Sequence, residues 1–244
     1  MSQHSKAIKF PSSGQVLGKF IVFEGVEGSG KTTQLHHLYN WLRESEVWQH
    51  LRQQGHVANL VVTREPGGTE LCQEIRQLLL HPTSSETMQS RAELLLYAAD
   101  RAQHVEAMLK PALAQGDVVL CDRYTDSTVA YQGYGRQLDL GLIHQLNHIA
   151  THGLDSDLTL WLDMDAEAGL ARAQKRSTAD RMEQNSLDFH RRVQQGFAAL
   201  AQEFPQRIVR IDANRSEAEV ANDIQATVQR CFDTWYALPA TDER

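Results

Sequence analysis

Short apolar runs recur along the chain, and longer stretches in which apolar residues return every three or four positions separate them. Short runs of this kind are typical of strands buried on both faces, and the longer stretches are typical of amphipathic helices. The pattern predicts strands at residues 19–24, 56–63, 117–121, 157–162 and 207–211. It predicts helices at approximately residues 32–52, 69–80, 90–114, 140–152, 166–175, 187–204 and 217–235.

The alternation of strands with helices predicts an α/β fold, in which a five-stranded parallel sheet carries helices on both faces. The 244 residues, 41% of them hydrophobic, suffice for one such domain. We expect the domain to span residues 19–236, between an N-terminal extension at 1–18 and a C-terminal tail at 237–244. Ligands of such sheets bind beyond the carboxyl ends of the strands, so the residues that follow each strand are candidates for a site.

Composition bears on the partners and the compartment of the protein. Its 24 Lys and Arg residues against 31 Asp and Glu residues give a formal charge of −7, which argues against broad binding to nucleic acid. No run approaches the roughly 20 apolar residues of a membrane span, and residues 1–18 lack the apolar core of a signal peptide. The three cysteines, Cys72, Cys121 and Cys231, are widely spaced and indicate neither a disulfide framework nor a zinc site. We expect a cytoplasmic protein that binds neither nucleic acid nor membrane.

The first predicted strand runs into a glycine-rich segment, FEGVEGSGKTT, which contains the pattern G-x-x-x-x-G-K-[ST]. Glycines let successive backbone N–H groups turn toward an anion, and the N-terminus of the following helix adds partial positive charge. The lysine can reach the outer phosphates of a nucleoside triphosphate, and the threonine hydroxyl can ligate Mg²⁺. A glycine-rich turn without a ligand is the alternative. The predicted nucleotide site comprises Gly25, Val26, Glu27, Gly28, Ser29, Gly30, Lys31, Thr32 and Thr33.

A phosphate loop of this type needs a second anchor for its metal, usually a carboxylate at the end of a neighbouring strand. Asp122 directly follows the apolar run DVVLC and meets that requirement together with Thr32. The alternative is that Asp122 caps the following turn.

An arginine follows each of two further strands. Arg64 stands in TREPGGT after the second predicted strand, and Arg123 stands in DRY after the third. Because both lie at the edge of the sheet that carries the phosphate loop, they indicate an acceptor that is itself phosphorylated.

Two pairs of residues at helical spacing could line the rest of that acceptor. Tyr97 and Arg101 are four positions apart, so an aromatic ring and a guanidinium share one helix face and could stack and hydrogen-bond a base. Ser127 and Tyr131 repeat the spacing, and Gln132 follows. Taken alone, either pair is better explained by ordinary packing.

Taken together, the motifs resemble the bacterial thymidylate kinase family, from about residue 19 to the C-terminal helix. The matching stretches are FEGVEGSGKTTQ, TREPGGT, AELLLYAADRAQH, CDRYTDSTVAYQG, LTLWLD and DRME, in that order. The resemblance implies a three-layer P-loop NTPase fold with a small lid, transfer of the ATP γ-phosphoryl group to dTMP, Mg²⁺ as cofactor, and a homodimer.

The resemblance also implies roles for individual residues. Glu27 resembles the carboxylate that contacts the 3′-hydroxyl of the deoxyribose or the surroundings of its phosphate. Arg64 and Arg123 resemble the arginines that hold the dTMP phosphate, and Tyr131 the residue that crowds the 2′ position. Tyr97 takes the place of a Phe that stacks on thymine. The implied acceptor site is Glu27, Arg64, Pro66, Tyr97, Arg101, Arg123, Ser127, Thr128, Tyr131 and Gln132.

The lid implied by the resemblance is residues 170–183, LARAQKRSTADRME, which carry a basic run. A solvated helix face is the usual explanation of such a run. The phosphate loop contains no arginine, however, and family members of this type supply a catalytic arginine from the lid. We assign that role to Arg176, with Arg172 as a further ATP contact and Arg181 as a weaker candidate. The implied catalytic residues are Lys31, Arg176, Arg123 and Glu27.

Two other functions use the same phosphate loop. A deoxynucleoside kinase would accept a sugar hydroxyl and would need a carboxylate base more than two phosphate-binding arginines. A non-catalytic nucleotide switch would leave Tyr97, Arg101 and Gln132 without a purpose. Separately, His144, His148 and His152 form a stripe on the predicted helix at 140–152, where a polar face or a subunit-contact surface is a better explanation than a metal site.

Overall fold

A computed structural model describes residues 18–81, 86–175 and 180–237, which form a five-stranded parallel sheet with helices on both faces. The sheet order is β2-β3-β1-β4-β5, and the predicted fold class is confirmed. All five predicted strands are present. Their ends lie within one residue of those expected, except that the second strand begins at Leu60, four residues later than predicted. The strands are β1 Lys19–Glu24, β2 Leu60–Arg64, β3 Val118–Asp122, β4 Leu158–Asp163 and β5 Ile208–Asp212.

Helices connect each strand to the next. The two longest, α9 and α10, begin at serines whose side chains accept a backbone N–H of the first turn. In the described residues the helices are α1 Lys31–Glu44, α2 Glu46–Gln53, α3 Glu70–Leu80, α4 Ser90–His104, α5 Lys110–Ala114, α6 Thr125–Thr128, α7 Leu140–Thr151, α8 Ala166–Gln174, α9 Leu187–Glu203 and α10 Glu217–Trp235. Two π-helical segments, Val105–Leu109 and Val129–Gly135, extend α4 and α6.

Both faces of the sheet are buried because alternate residues of each strand enter different layers of side chains. In β1, Ile21 and Phe23 pack with Leu35 of α1, whereas Phe20 and Val22 pack with Val105 beyond α4. Helices α1 and α10 cover the first face, and α5 and α9 contact the second. Burial of these apolar side chains is the main contribution to the stability of the domain.

Four helix predictions need correction. The helix expected at 32–52 is broken at Ser45, whose hydroxyl caps α2. The helix expected at 90–114 passes through a π-helical turn. Residues 125–135 are helical although no helix was predicted there, and the Arg136 N–H reaches the Tyr131 carbonyl five residues back. Helix α7 ends at Thr151, so the left-handed residue His152 leaves the predicted histidine stripe and pairs with Glu106.

The topology brings three strand ends together. Strand β3 lies between β1 and β2, so the phosphate loop after β1 lies beside the residues that end β3 and β2, Asp122 and Arg64. None of the helices in the described ranges has the length and hydrophobicity to cross a membrane.

Candidate active site

The phosphate loop connects β1 to α1 in conformations that favour glycine. Gly25, Gly28 and Gly30 have φ angles of 144°, 73° and 91°. At Gly28 an added Cβ would lie 2.0 Å from the carbonyl oxygen of Gly169 in α8. The loop therefore requires glycine at this position both for its backbone and for its contact with α8.

Lys31 at the start of α1 is buried, and its ammonium group lies inside the loop. Its Nζ donates to the carbonyl oxygens of Gly25, at 3.0 Å, and Val26, at 2.9 Å. Burial and the nearby Arg123 lower the pKa of Lys31 to about 8. The charge of Lys31 is thus sensitive to the anionic groups around it.

The two residues predicted to hold a metal are adjacent. The Thr32 hydroxyl donates to Asp122 Oδ2 at 2.6 Å, across the gap between α1 and the end of β3. A hydroxyl and a carboxylate are oxygen ligands of the kind that Mg²⁺ prefers. The pair fits the predicted metal.

Arg123 is the central cation of the site. It has a φ of 74°, a left-handed conformation unusual for a residue with a side chain, and lies between the strand end and α6. Its Nη2 donates to Glu27 at 2.5 Å, its Nη1 donates to the Gly25 carbonyl at 3.1 Å, and its guanidinium stacks on the Tyr131 ring. These contacts hold the guanidinium against the phosphate loop.

Glu27 is ionised because of that arginine. Burial favours the neutral acid, but Arg123 and Lys31 outweigh it and lower the pKa of Glu27 to about 2. The Tyr131 hydroxyl also donates to Glu27, at 3.0 Å. The loop thus carries a fixed negative charge opposite Tyr131.

Beneath Arg123 lies a buried carboxylate that the sequence analysis missed. Glu24, the last residue of β1, accepts from the N–H groups of Tyr124 and Ser127 and from the Ser127 hydroxyl. Burial, followed by the charge of Asp126, raises the pKa of Glu24 to about 7. The sequence feature that could have identified Glu24 is its position at the end of an apolar strand. A carboxylate buried there needs hydrogen-bond donors from the surrounding residues.

Two cavities open at this edge of the sheet. The larger, of about 600 Å³, is lined by Gly28, Gly30, Thr33 and the Thr32–Asp122 pair, and the smaller, of about 100 Å³, lies beyond it. Of the predicted nucleotide site, Gly25, Val26 and Ser29 do not line the larger cavity. Five residues line both cavities, which therefore meet: Glu27, Glu65, Arg76, Arg123 and Asp180.

The smaller cavity brings together nearly all of the predicted acceptor site. Arg64 lines only the larger cavity. The nine acceptor residues around the smaller cavity are Glu27, Pro66, Tyr97, Arg101, Arg123, Ser127, Thr128, Tyr131 and Gln132.

Arg101 lies at the bottom of this cavity and is almost completely buried. Its Nε donates to Glu65 at 2.8 Å, and its terminal nitrogens donate to Thr128, Asn147 and the Tyr124 carbonyl. Since a guanidinium has five N–H groups and these bonds use four, one remains for a ligand.

Arg76 of α3 is a second residue that sequence reasoning missed. It lines both cavities, and its Nη1 donates to the Pro66 carbonyl at 2.9 Å. Burial and the neighbouring Arg64 lower the pKa of Arg76. A lone arginine within a helix carries no sequence signal of a site, so only the fold places it here.

The predicted lid is only partly described. Arg176 lies outside the described residues. Arg172 is exposed on α8 and lines neither cavity. Arg181 donates to the Leu79 carbonyl and to Glu93, both at 2.6 Å, and so lies against the ends of α3 and α4. In the described ranges no group of three or more His, Cys, Asp or Glu side chains is arranged to hold a metal ion.

Comparisons with known proteins agree on one family. The family model described as "Thymidylate kinase" matches residues 23–224. Thymidylate kinase of Acaryochloris marina is 56% identical over 230 residues, covering 91% of this chain and 100% of the relative, and that of Trichodesmium erythraeum is 56% identical over 223 residues, covering 90% and 99%. The crystal structure of thymidylate kinase from Ehrlichia chaffeensis superposes with a TM-score of 0.66 at 34% identity, covering 87% of this chain and 98% of that one.

Proposed function

The chain belongs to the thymidylate kinase family, and we propose that its larger cavity holds the ATP phosphates while its smaller cavity holds dTMP. The protein is a kinase that uses ATP and phosphorylates dTMP. One observation carries the assignment of the cavities: they meet at Glu27 and Arg123, between the phosphate loop and the predicted acceptor residues. A γ-phosphoryl group and an acceptor phosphate would face each other there.

The main obstacle to this reaction is the repulsion between two anions. Lys31 reaches the outer phosphates of ATP, and Arg123 and Arg76 stand where the acceptor phosphate enters, with Arg64 beside them. Positive charge fixed in a partly enclosed site stabilises the transferring group without reorganisation. A phosphate oxygen is already a nucleophile at neutral pH, so the reaction needs no general base.

Thr32 and Asp122 would hold Mg²⁺, since their oxygens lie 2.6 Å apart beside the loop. The ion would screen the β- and γ-phosphates and orient them toward the acceptor. Asp122 lines the larger cavity and not the smaller, so its carboxylate is not placed to act as a base on an acceptor in the smaller cavity.

The deoxyribose would lie between the loop and α6. Glu27 is ionised and can accept a hydrogen bond from the 3′-hydroxyl while it orients Arg123. Tyr131 lies against both groups and would occupy the space of a 2′-hydroxyl. Ser127 supports Arg123 from below, since its hydroxyl accepts from Nη1 at 3.1 Å.

The base would enter the deepest part of the smaller cavity. Tyr97 offers a ring face, and Pro66 lies on another wall. Arg101 offers its remaining N–H to a carbonyl of the base edge, beside Thr128 and Gln132. The lid arginines Arg176 and Arg172 complete the proposal as contacts to ATP.

The competing functions are less well supported. Three arginines near the junction of the cavities suit a phosphorylated acceptor better than an unphosphorylated nucleoside. A nucleotide switch does not explain a second cavity lined by Tyr97, Arg101 and Gln132.

The test is phosphorus NMR of the protein incubated with ATP, Mg²⁺ and dTMP. We expect the dTMP signal to be replaced by the α- and β-phosphorus signals of dTDP, with an equal amount of ADP. Formation of ADP and inorganic phosphate without dTDP would contradict the proposal, because water would then be the acceptor.

A homodimer is also part of the proposal. Helices α3, α4 and α7 pack side by side and expose the apolar side chains of Leu71 and Leu78 on α3, Leu95 on α4, and Leu142 and Ile149 on α7. The two residues on α3, and likewise the two on α7, are seven positions apart and so lie on the same side of their helix. Exposed apolar residues grouped on one face suit association with a second copy. A cytoplasmic location belongs to the proposal too and is supported by the three free cysteines.

A further inference from the structure

Glu93 lies near the start of α4, behind the smaller cavity, and is completely buried. Three side chains donate to its carboxylate. Gln132 Nε2 donates to Oε1 at 2.8 Å, and Arg181 Nη1 donates to Oε2 at 2.6 Å. Arg136 donates to both oxygens, from Nε at 3.2 Å and from Nη2 at 3.1 Å. Every side chain that bonds to the Glu93 carboxylate is thus a donor.

These donors keep Glu93 ionised. Burial favours the neutral acid, but the hydrogen bonds from Arg136 and Gln132 outweigh it and hold the pKa of Glu93 below its ordinary value. An ionised carboxylate can only accept hydrogen bonds.

This fixes the side-chain amide of Gln132. Its nitrogen must face Glu93, because the opposite orientation would set two acceptors against each other. Gln132 Oε1 has no hydrogen-bond partner in the described part of the chain, and Gln132 lines the smaller cavity. The amide therefore presents an acceptor to whatever occupies that cavity.

We propose that Glu93 is a specificity-determining positioning residue, which orients the Gln132 amide so that the pocket selects pyrimidines that carry a hydrogen on N3. Thymine and uracil have that N3–H donor, whereas cytosine has a lone pair at N3. The inference rests on the proposed function, since it assumes that the base of a deoxynucleoside monophosphate occupies the smaller cavity.

The discrimination follows from desolvation. An N3–H replaces its bond to water by a bond to Gln132 Oε1. The cytosine lone pair would meet that oxygen and leave two buried acceptors without donors, a mismatch that costs far more than a missing contact. Glu93 itself does not touch the base. It acts by preventing Gln132 from rotating to offer its nitrogen.

The variant Glu93→Gln tests this role because the new amide must choose where its single oxygen lies. At the Oε2 position the oxygen keeps the bonds from Arg181 Nη1 and Arg136 Nη2. The new NH₂ group then faces Gln132 and one arginine N–H, that of Arg136 Nε. The opposite choice would set the NH₂ group against two arginine N–H groups. Gln132 should therefore rotate and present its nitrogen to the cavity.

We expect the ratio of kcat/KM for dTMP to kcat/KM for dCMP to fall at least about tenfold in Glu93→Gln, through both lower dTMP and higher dCMP values. Glu93→Asp keeps an acceptor-only group and should retain the ratio to within about threefold, even if both activities fall. Asp163→Asn is the matched control, because Asp163 also accepts from one glutamine and one arginine, Gln194 and Arg210, but lines neither cavity.

An unchanged ratio of kcat/KM for dTMP to that for dCMP in folded, active Glu93→Gln would overturn the inference. A fall of this ratio in Glu93→Asp as large as in Glu93→Gln would overturn it too. If Glu93→Gln does not fold, a second measurement on the unmodified protein takes its place. It follows the side-chain ¹⁵N resonance of Gln132, which is assigned because it disappears in Gln132→Met. We expect its amide protons to keep the shift of a carboxylate-bound group when dTMP is added. A large shift on adding dTMP would overturn the inference, since the nitrogen would then contact the base.

These outcomes are distinguishable from failure of the proposed function. If the unmodified protein does not turn over dTMP, the proposed function fails and this inference fails with it. If the unmodified protein turns over dTMP and only the ratio is unaffected by Glu93→Gln, the inference alone fails.

Discussion

Lys31 has a pKa of about 8 because it is buried beside Arg123, so its charge is lost in a range where the protein can be assayed. Only the protonated amine attracts phosphate. Since the shift is downward, the active form predominates below pH 8 and is lost as the pH rises. We predict that kcat/KM for ATP, which reports the free enzyme, falls tenfold per pH unit above about pH 8.

The comparison between two kinetic constants is the control for this prediction. Bound ATP places negative charge at Lys31 and raises its pKa, so the alkaline limb of kcat should lie at higher pH than that of kcat/KM. Preincubation at each pH followed by assay at pH 7 separates titration from denaturation. A kcat/KM profile that is flat to pH 9.5 would show that Lys31 is not the titrating group.

Arg176 is the residue to which we assign stabilisation of the transferring group from the lid. Removing an arginine that acts only in the transition state lowers kcat and leaves substrate affinity largely intact. We predict that Arg176→Ala lowers kcat by a factor on the order of 10³ while the KM for dTMP changes less than about fivefold. Arg172→Ala, at an exposed position of α8, serves for comparison. Equal changes in kcat and in the KM for dTMP would contradict the assignment of Arg176 as the residue that stabilises the transferring group.

At the scale of residues, the sequence identifies the site residues that belong to a recognisable motif. It does not identify the charged residues whose role depends on burial in the folded protein. The phosphate-loop motif marks Thr32, the position after an apolar run marks Asp122, and the structure has the two in contact. Glu24, Arg76 and Glu93 were missed because each is a single charged residue in an otherwise ordinary strand or helix. Their chemistry arises from neighbours distant in the sequence.

At the scale of elements, α8 is held against the phosphate loop by two glycines. Gly28 would place an added Cβ 2.0 Å from the Gly169 carbonyl oxygen, and Gly169 would place one 2.4 Å from the Glu27 carbonyl oxygen. Gly169 lies in a regular helix, so a substitution there adds bulk without backbone strain.

We predict that Gly169→Ala displaces α8 from the loop and raises the KM for ATP at least about tenfold, while the KM for dTMP changes less. It should also destabilise the fold by roughly 1–3 kcal/mol, as overpacking does. Steady-state kinetics and urea unfolding measure the two effects. Gly141→Ala in α7, which would meet only the tip of the Asp139 side chain, is the control. An unchanged KM for ATP would mean that the contact between α8 and the phosphate loop does not determine how the loop binds ATP.

The strands could be predicted because continuous apolar runs leave little choice of structure. The segment at 125–135, TDSTVAYQGYG, escaped because its threonines and glycines give no helical periodicity, and tertiary packing against α9 overrides that local preference. The break at Ser45 was missed for the opposite reason, since apolar periodicity continues across it while the serine caps the next helix.

At the scale of the whole molecule, the exposed apolar side chains of α3, α4 and α7 bear on assembly. Leu78 is 54% exposed and Ile149 is 68% exposed. If two copies meet on this face, a carboxylate placed there is buried without a partner and opposes association. We predict that the double variant Leu78→Glu, Ile149→Glu is monomeric at micromolar concentration, whereas the unmodified chain is dimeric.

Sedimentation velocity over a range of concentrations measures this directly. Asn222→Glu, at an exposed position of α10 on the other side of the sheet, should leave the sedimentation coefficient unchanged. A monomeric unmodified chain, or a double variant that sediments as a dimer, would contradict the placement of the interface.

The topology of the molecule explains why the site could be anticipated in outline. A parallel sheet collects its strand ends at one edge, so the loop after β1, Asp122 at the end of β3 and Arg64 at the end of β2 had to be neighbours. The connection between the two cavities could not be read from the sequence, because it depends on the left-handed backbone of Arg123 and on the bulk of α3.

The central claim is that the acceptor must itself carry a phosphate, which the arginines at the junction of the cavities bind. The most direct test is ADP release with ATP and Mg²⁺ in the presence of dTMP, dUMP, thymidine or no acceptor. Turnover that requires dTMP and is absent with thymidine is the result that we predict. Turnover with thymidine at a rate similar to that with dTMP would contradict the claim, because Arg123, Arg76 and Arg64 would then have no phosphate to hold.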